Sequence, residues 1–377
     1  MRRSSLVFVL AVCGALTPSA PALAVEGSAG EAIPGQYIVV VKQDRDPAAV
    51  ARWQNARGRH VFNSVNGFSA ALDAAQVRAL EASARVEYVE PDRVVTASVT
   101  QNMDSAGNPW GLDRIDQGAL PLSRTYTYNR AGAGVTAYII DTGLTAGHPD
   151  FGGRARNVYD ALGGSGADCN GHGTHVAGTI GGTTYGVAKS AQLRGVRVLN
   201  CSGSGSTSGI IRALDWVRVN AVRPAVANMS LGGGRSTALN TATTNLANSG
   251  VFIAVAAGNE SQNACNVSPA SAAAAYTTAA SDRTDLRASF SNYGSCVDGY
   301  APGVGIKSAW LGTGTNTISG TSMASPHVAG VAALYKSNFG DAPSATVASW
   351  INTNATAGVI RSSPSGTPNR LLFKGTL

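Results

Sequence analysis

The chain has 377 residues, more than one average domain requires, and only 14% of them are charged while 45 are glycine. That composition excludes a disordered or coiled-coil chain and indicates compact, loop-rich units. The formal net charge of +7 comes from Lys and Arg scattered without clusters or interleaved aromatics, which reads as a solvated cationic surface and not as a nucleic-acid site.

The first 24 residues read as a secretory signal. Arg2 and Arg3 form its charged start, Leu6 to Leu16 its apolar middle, and Ala22-Leu23-Ala24 a small-residue cleavage site. Pro18 and Pro21 interrupt a run already too short to span a bilayer, and no later run is long enough, so no membrane attachment is expected after signal removal. A lipid anchor at Cys13 is disfavoured because Leu10-Ala11-Val12 puts no small residue directly before it. The expected product is secreted, outside the cell or in a periplasm. Removing the signal leaves Cys169, Cys201, Cys265 and Cys296, an even number without CxxC spacing, which predicts two disulfides in an oxidising compartment.

Residues 25–96 show two cycles of strand and helix. Tyr37 to Val41 predicts a strand and Pro47 to Arg57 a helix. Val61-Phe62 and Gly67 to Leu72 predict strands, Ala74 to Ser83 a helix, and Val86 to Glu90 a strand ending before Pro91. The sum is a small α+β unit of the β-α-β-β-α-β kind. From Val94 the chain loses periodicity, and residues 97–108 are expected to be an exposed, cleavable linker.

Residues 109–377 form the larger unit. Val135 to Ile140, Ala225 to Met229 and Val251 to Ala256 are near-continuous apolar runs separated by helical stretches. They predict a parallel sheet covered by helices on both faces. Asp141, Ser230 and Asn259 follow these strands at the carboxyl edge, where sites in open α/β sheets form.

Three polar residues stand in glycine-flanked turns. Asp141 lies in Asp141-Thr142-Gly143 at a strand end. His172 lies in Gly171-His172-Gly173-Thr174-His175 and Ser322 in Gly320-Thr321-Ser322-Met323-Ala324, each entering a helix. A hydroxyl at a helix N-terminus, an imidazole base and a buried carboxylate that fixes the imidazole tautomer are the parts of a serine nucleophile system. His172 and His175 as a metal pair lack an acidic third ligand and differ from the His-Glu-x-x-His spacing of zinc peptidases.

In order and flanking residues these motifs resemble the subtilisin superfamily, and most of all the aqualysin-type members of the proteinase K branch. The resemblance implies a subtilisin-like fold for residues 109–377, preceded by an inhibitor-like propeptide. It implies a broad-specificity, monomeric serine endopeptidase made as a self-processing zymogen, with proteins and peptides as substrates and its own propeptide as inhibitor. Asn259 would supply the oxyanion hole together with the Ser322 N–H. Gly203, Ser204, Gly205, Ser230, Leu231 and Gly232 would pair with substrate as an added strand, and Ala256, Ala257 and Gly258 would line the pocket before the scissile bond. Val267 stands near that pocket where close relatives carry tyrosine. The implied disulfides are Cys169–Cys201 and Cys265–Cys296. Structural calcium is implied at Asp298 with the carbonyls of Ala273 and Ala275. A second calcium is implied at Asp113, Asp116 and Gln117, one helix face, with Ser123 and Thr125 downstream. In the precursor, Val94 to Ser98 would lie in the substrate groove.

Overall fold

The computed structural model describes residues 32–62, 66–93 and 99–377. The signal segment and the expected cleavage stretch, residues 94–98, lie outside the described residues. The chain divides into two compact units, Met1–Thr96 and Ala97–Leu377.

In the first unit, β1 (Ala32–Val41), β2 (Arg57–Phe62), β3 (Gly67–Ala71) and β4 (Val86–Arg93) form an antiparallel sheet of order β2-β3-β1-β4. Helices α1 (Pro47–Trp53) and α2 (Ala74–Glu81) belong to the same unit, whose core is Val39, Val41, Val50, Phe68, Leu72, Leu80 and Val86. The α2 start is a reciprocal capping box. Asp73 accepts from Gln76 N at 2.8 Å, and the Gln76 side chain accepts from Asp73 N at 2.9 Å. Two expected boundaries move. Helix α1 stops at Trp53 instead of Arg57, where Asn55 at φ 48° turns the chain towards β2. Strand β4 continues through Pro91 to Arg93, which an edge strand tolerates because a proline nitrogen there can face away from its partner.

The second unit begins with β5 (Val99–Asn102), α3 (Trp110–Ile115) and β6 (Thr125–Tyr128). This corrects the expected linker. Val99–Asn102 pairs antiparallel with β6, and Asp104 closes the following turn by accepting from Asn108 N at 2.8 Å. Polar, non-alternating sequence concealed a strand whose pairing is long-range.

The central sheet is built from β7 (Thr136–Asp141), β8 (Ala155–Asp160), β9 (Gln192–Arg197), β10 (Ala225–Met229), β12 (Phe252–Ala256), β14 (Tyr276–Ser281), β15 (Gly299–Pro302), β18 (Thr356–Ala357) and β19 (Arg370–Leu371). Its order is β18-β19-β15-β14-β12-β10-β7-β9-β8, parallel except for the β18–β19 pair. The short strands β11 (Gly233–Gly234) and β13 (Val267–Ser268) pair beside it, as do β16 (Ile306–Ala309) and β17 (Thr315–Ile318). Along β7, Ala137 and Ile139 join the core under α4 (His172–Gly181) and α7 (Thr321–Phe339). Tyr138 and Ile140 join the opposite core, under α5 (Thr207–Asn220) and α6 (Thr237–Asn248). A strand buried on both faces has no polar side to show, which explains its continuous apolar run. Helix α8 (Ser344–Asn354) packs against α7.

Arg114 of α3 is fully buried, and it forks onto Asp285 at 2.7 and 3.0 Å while donating to Gln117 O at 2.7 Å. Arg114→Met should cost about 3–5 kcal/mol, because it strands a buried carboxylate. Guanidinium unfolding measures this.

Candidate active site

Asp141 ends β7 with no exposed surface. A buried carboxylate needs donors, and it receives Thr142 N at 2.7 Å and His172 Nδ1 at 2.8 and 3.0 Å from its two oxygens. The carboxylate therefore keeps the proton on Nδ1 and leaves the Nε2 lone pair for other work. Burial opposes protonation of His172, but the charge and hydrogen bond of Asp141, with Asp168 beyond, outweigh it and raise the imidazole pKa above 6.5. His172 opens α4 directly after Gly171, whose φ is 104°. A Cβ at Gly171 would stand 2.4 Å from the Trp310 ring, so space and backbone both demand glycine.

Ser322 is the second residue of α7, where backbone N–H groups have no intrahelical acceptor. Pro326 lies four residues on and has no N–H for the Ser322 carbonyl. Ser230 replaces that donor, its Oγ reaching Ser322 O at 2.7 Å while accepting from Asn228 Nδ2 at 2.9 Å. Ser325 Oγ donates to Asn228 Oδ1 at 2.7 Å, so α7 is tied twice to the end of β10. Ser322 Oγ itself donates to Ser230 O at 3.2 Å.

Asn259 follows β12 and Gly258. Its Oδ1 accepts from Thr321 N at 2.9 Å and Thr321 Oγ1 at 3.0 Å, which leaves Nδ2 free for the groove. A Cβ built at Gly320 would lie 3.6 Å from Ser322 N and 3.7 Å from Asn259 Nδ2, so these two donors flank one point.

His172, Gly203, Ser204, Gly205, Ser230, Leu231 and Gly232 line one cavity of ≈ 440 Å³. Leu231, Gly232, Ala256, Gly258, Asn259, Val267 and Ser322 line a second, of ≈ 390 Å³. Ala257 is fully buried, and its carbonyl accepts from Asn292 Nδ2 at 2.9 Å. Sequence reasoning missed Thr142, Asn170, Glu260 and Ser268 as lining residues, together with the hydroxyl role of Ser230. The signal for Ser230 was Pro326, which announces an unserved carbonyl four residues earlier.

The disulfides are Cys169–Cys201, with Cα atoms 4.9 Å apart, and Cys265–Cys296, at 5.3 Å. The first joins the loop before His172 to the segment before Gly203. Asn170 Nδ2 reinforces that tie by donating to Cys201 O at 3.0 Å.

Among the described residues, no three His, Cys, Asp or Glu side chains group as metal ligands. Asp298 shares a recess with Ala273 and Ala275. Burial pushes its carboxyl up to about 6 against the opposing Thr277 N–H and Arg370. A desolvated carboxylate is an oxygen donor of the kind a hard cation takes. Of the second expected set, Asp113, Gln117, Ser123 and Thr125 converge through Ser123, whose Oγ lies 2.8 Å from Thr125 Oγ1. Helix α3 ends at Ile115, and Asp113 accepts from Ser123 N, Ser123 Oγ and Arg124 N. Gln117 Oε1 accepts from Ser123 N at 2.8 Å. Asp116 accepts from Thr127 N at 2.7 Å and pairs with Lys374 Nζ at 3.0 Å.

Residues 132–372 match the model of the Subtilase family, and residues 36–98 that of peptidase inhibitor I9. The chain is 48% identical over 402 aligned residues to an extracellular serine proteinase of Thermus sp. (strain Rt41A), which covers 97% of each. It is 51% identical to alkaline serine exoprotease A of Vibrio alginolyticus, over 83% of this chain and 59% of that one. The solved structure of a cold adapted subtilisin-like serine proteinase aligns with TM-score 0.69 and 54% identity, covering 71% of this chain and 98% of that one. The chain belongs to the Subtilase family. It is a subtilisin-like serine proteinase with an N-terminal I9 inhibitor domain.

His175 and His327 are buried neutral. Burial depresses each to about 4, against hydrogen bonds to Ile306 O and Met323 O respectively. Because the unfolded chain binds these protons near pH 6.5, the stability they contribute is full above that pH and falls as pH drops from 6.5 towards 4. An NMR titration of the Ser322→Ala protein should show His172 titrating above 6.5 and His175 and His327 silent down to about 4.

Proposed function

We propose that the chain is a secreted, monomeric endopeptidase of broad specificity that works through an acyl-enzyme. Ser322 Oγ attacks the scissile carbonyl while His172 Nε2 takes its proton. The tetrahedral oxyanion is held by Asn259 Nδ2 and the Ser322 N–H. His172 then returns the proton to the leaving amine, and the same base activates the water that frees the acyl group. Asp141 orients the imidazole and stabilises its charged form. The observation that carries this reading is the pairing of a wholly buried carboxylate with His172 at 2.8 Å in a groove whose adjoining pocket holds Ser322 and Asn259.

Substrate backbone is proposed to run as an added strand along Gly203-Ser204-Gly205 and Ser230-Leu231-Gly232. The side chain before the cut enters the pocket of Ala256 and Gly258, where Val267 and Leu231 supply apolar wall. The I9 domain acts as an inhibitor, and the precursor removes it by its own activity. The apolar leader at residues 1–24 and the extracellular name of the Thermus relative support export.

Ser322→Ala should abolish hydrolysis and leave the purified precursor uncut. Normal processing of that variant without added enzyme would overturn self-cleavage, and residual hydrolysis within tenfold of wild type would overturn the nucleophile. Asn259→Ala should lower kcat by ~10²–10³ with KM little changed, the size known for the equivalent donor in subtilisin.

Asp298 with the carbonyls of Ala273 and Ala275 is proposed to hold calcium. A free concentration a hundredfold above Kd should then add about 3 kcal/mol of stability. Calcium should raise Tm, and Asp298→Asn should remove that increment. An increment unchanged in Asp298→Asn would place the cation elsewhere.

A further inference from the structure

Asp168 lies in the loop four residues before His172. Its Oδ1 accepts from Asn170 N at 3.0 Å, Gly171 N at 2.9 Å and Thr142 Oγ1 at 2.9 Å. Its Oδ2 accepts from Thr174 N at 3.0 Å and Thr174 Oγ1 at 2.6 Å. Thr142 is the residue after Asp141, and its hydroxyl also accepts from Gly173 N at 2.9 Å. One carboxylate thus holds the residue next to the buried acid and the backbone on both sides of the imidazole. A helix cap alone would need only the N–H groups at the start of α4. The bond to Thr142 reaches a different element, the end of β7, and has no capping purpose.

We propose that Asp168 is a positioning residue for the Asp141–His172 pair, locking the two elements in register through Thr142 and adding its negative charge to the field on the imidazole. The titratable groups that act on or face His172 are Asp141 from β7, Asp168 from the preceding loop and neutral His175 one turn along α4. Of these, Asp168 is the one that ties both members of the pair by hydrogen bonds without touching either side chain. Its effect is mechanical, through Thr142 and the α4 start, and electrostatic, through space. The proposal rests on His172 acting as base.

The test uses the processed enzyme from the full chain and the pH dependence of kcat/KM on a peptide substrate. A base must be neutral to act, so activity falls as pH drops through the His172 pKa. Asp168→Asn removes the charge and one of the two acceptor oxygens, so the position of the acid limb reads the charge while the Thr142 variants read the tie to β7. The acid limb should move to lower pH, because the imidazolium loses an attractive partner. Thr142→Val severs the link between β7 and Asp168. It should lower kcat about tenfold or more, with KM within about twofold, as a misplaced catalytic group does. Thr142→Ser restores the hydroxyl and should restore kcat. An acid limb of Asp168→Asn that coincides with wild type, or a Thr142→Val enzyme with full kcat, overturns the proposal. If Asp168→Asn fails to accumulate, the Thr142 variants decide. Ser322→Ala, assayed alongside, separates the two readings. Activity there would remove the nucleophile assignment itself, whereas an inert Ser322→Ala with unshifted Asp168→Asn removes only the role of Asp168.

Discussion

A carboxylate without any exposed surface is the constraint around which this molecule is arranged. Asp141 stands at the end of a strand buried on both faces, where an unpaired charge would cost several kcal/mol. The cost is offset only if donors reach it in fixed positions, and these are Thr142 N and His172 Nδ1. Satisfying Asp141 therefore dictates where α4 begins and which way the imidazole faces. The low dielectric that makes the charge costly also strengthens the bond once made, which keeps His172 more basic than a free histidine.

The remaining site parts come from distant segments, and parallel topology brings them to one edge. Strands β7, β10 and β12 run side by side in the same direction, so Asp141, Ser230 and Asn259 emerge together at their carboxyl ends. Helices α4 and α7 start on that side. The first N–H groups of α4 are taken by Asn170, Thr142 and Asp168, whereas the Ser322 N–H of α7 has no intrahelical acceptor and favours nearby negative charge. Much of the lining is glycine and serine, which suits the proposed pairing with a peptide main chain of any sequence. The Cys169–Cys201 bridge closes the loop that joins the His172 turn to one groove edge.

Legibility in the sequence followed the range of the interactions. Apolar runs revealed β7, β10 and β12, and glycine-flanked motifs singled out Asp141, His172 and Ser322, the first two of which are hydrogen-bonded to each other. Strand β5 was invisible, since Val99-Thr100-Gln101-Asn102 is extended only because Thr125–Tyr128 pairs with it. The ion pair of Asp116 with Lys374, 258 positions later, was beyond any local pattern. Asp168 looks like any loop acid until Thr142 is seen beside it.

The proline in α7 unites these points. An interior proline normally weakens a helix by removing one hydrogen bond, yet here the freed acceptor is the carbonyl of Ser322. Ser230 takes it at 2.7 Å, and Asn228 fixes Ser230 from behind. The backbone of Ser322 is thereby held from a second element, not only by its own helix. Its side-chain hydroxyl makes only a 3.2 Å bond to Ser230 O, a weak tether compared with the backbone anchor. In the proposed mechanism, rotation about Cα–Cβ carries Oγ from that carbonyl to the base while the Ser322 N–H stays in place, so that a moving nucleophile sits beside a fixed oxyanion donor, as stabilising a transition state without reorganisation requires.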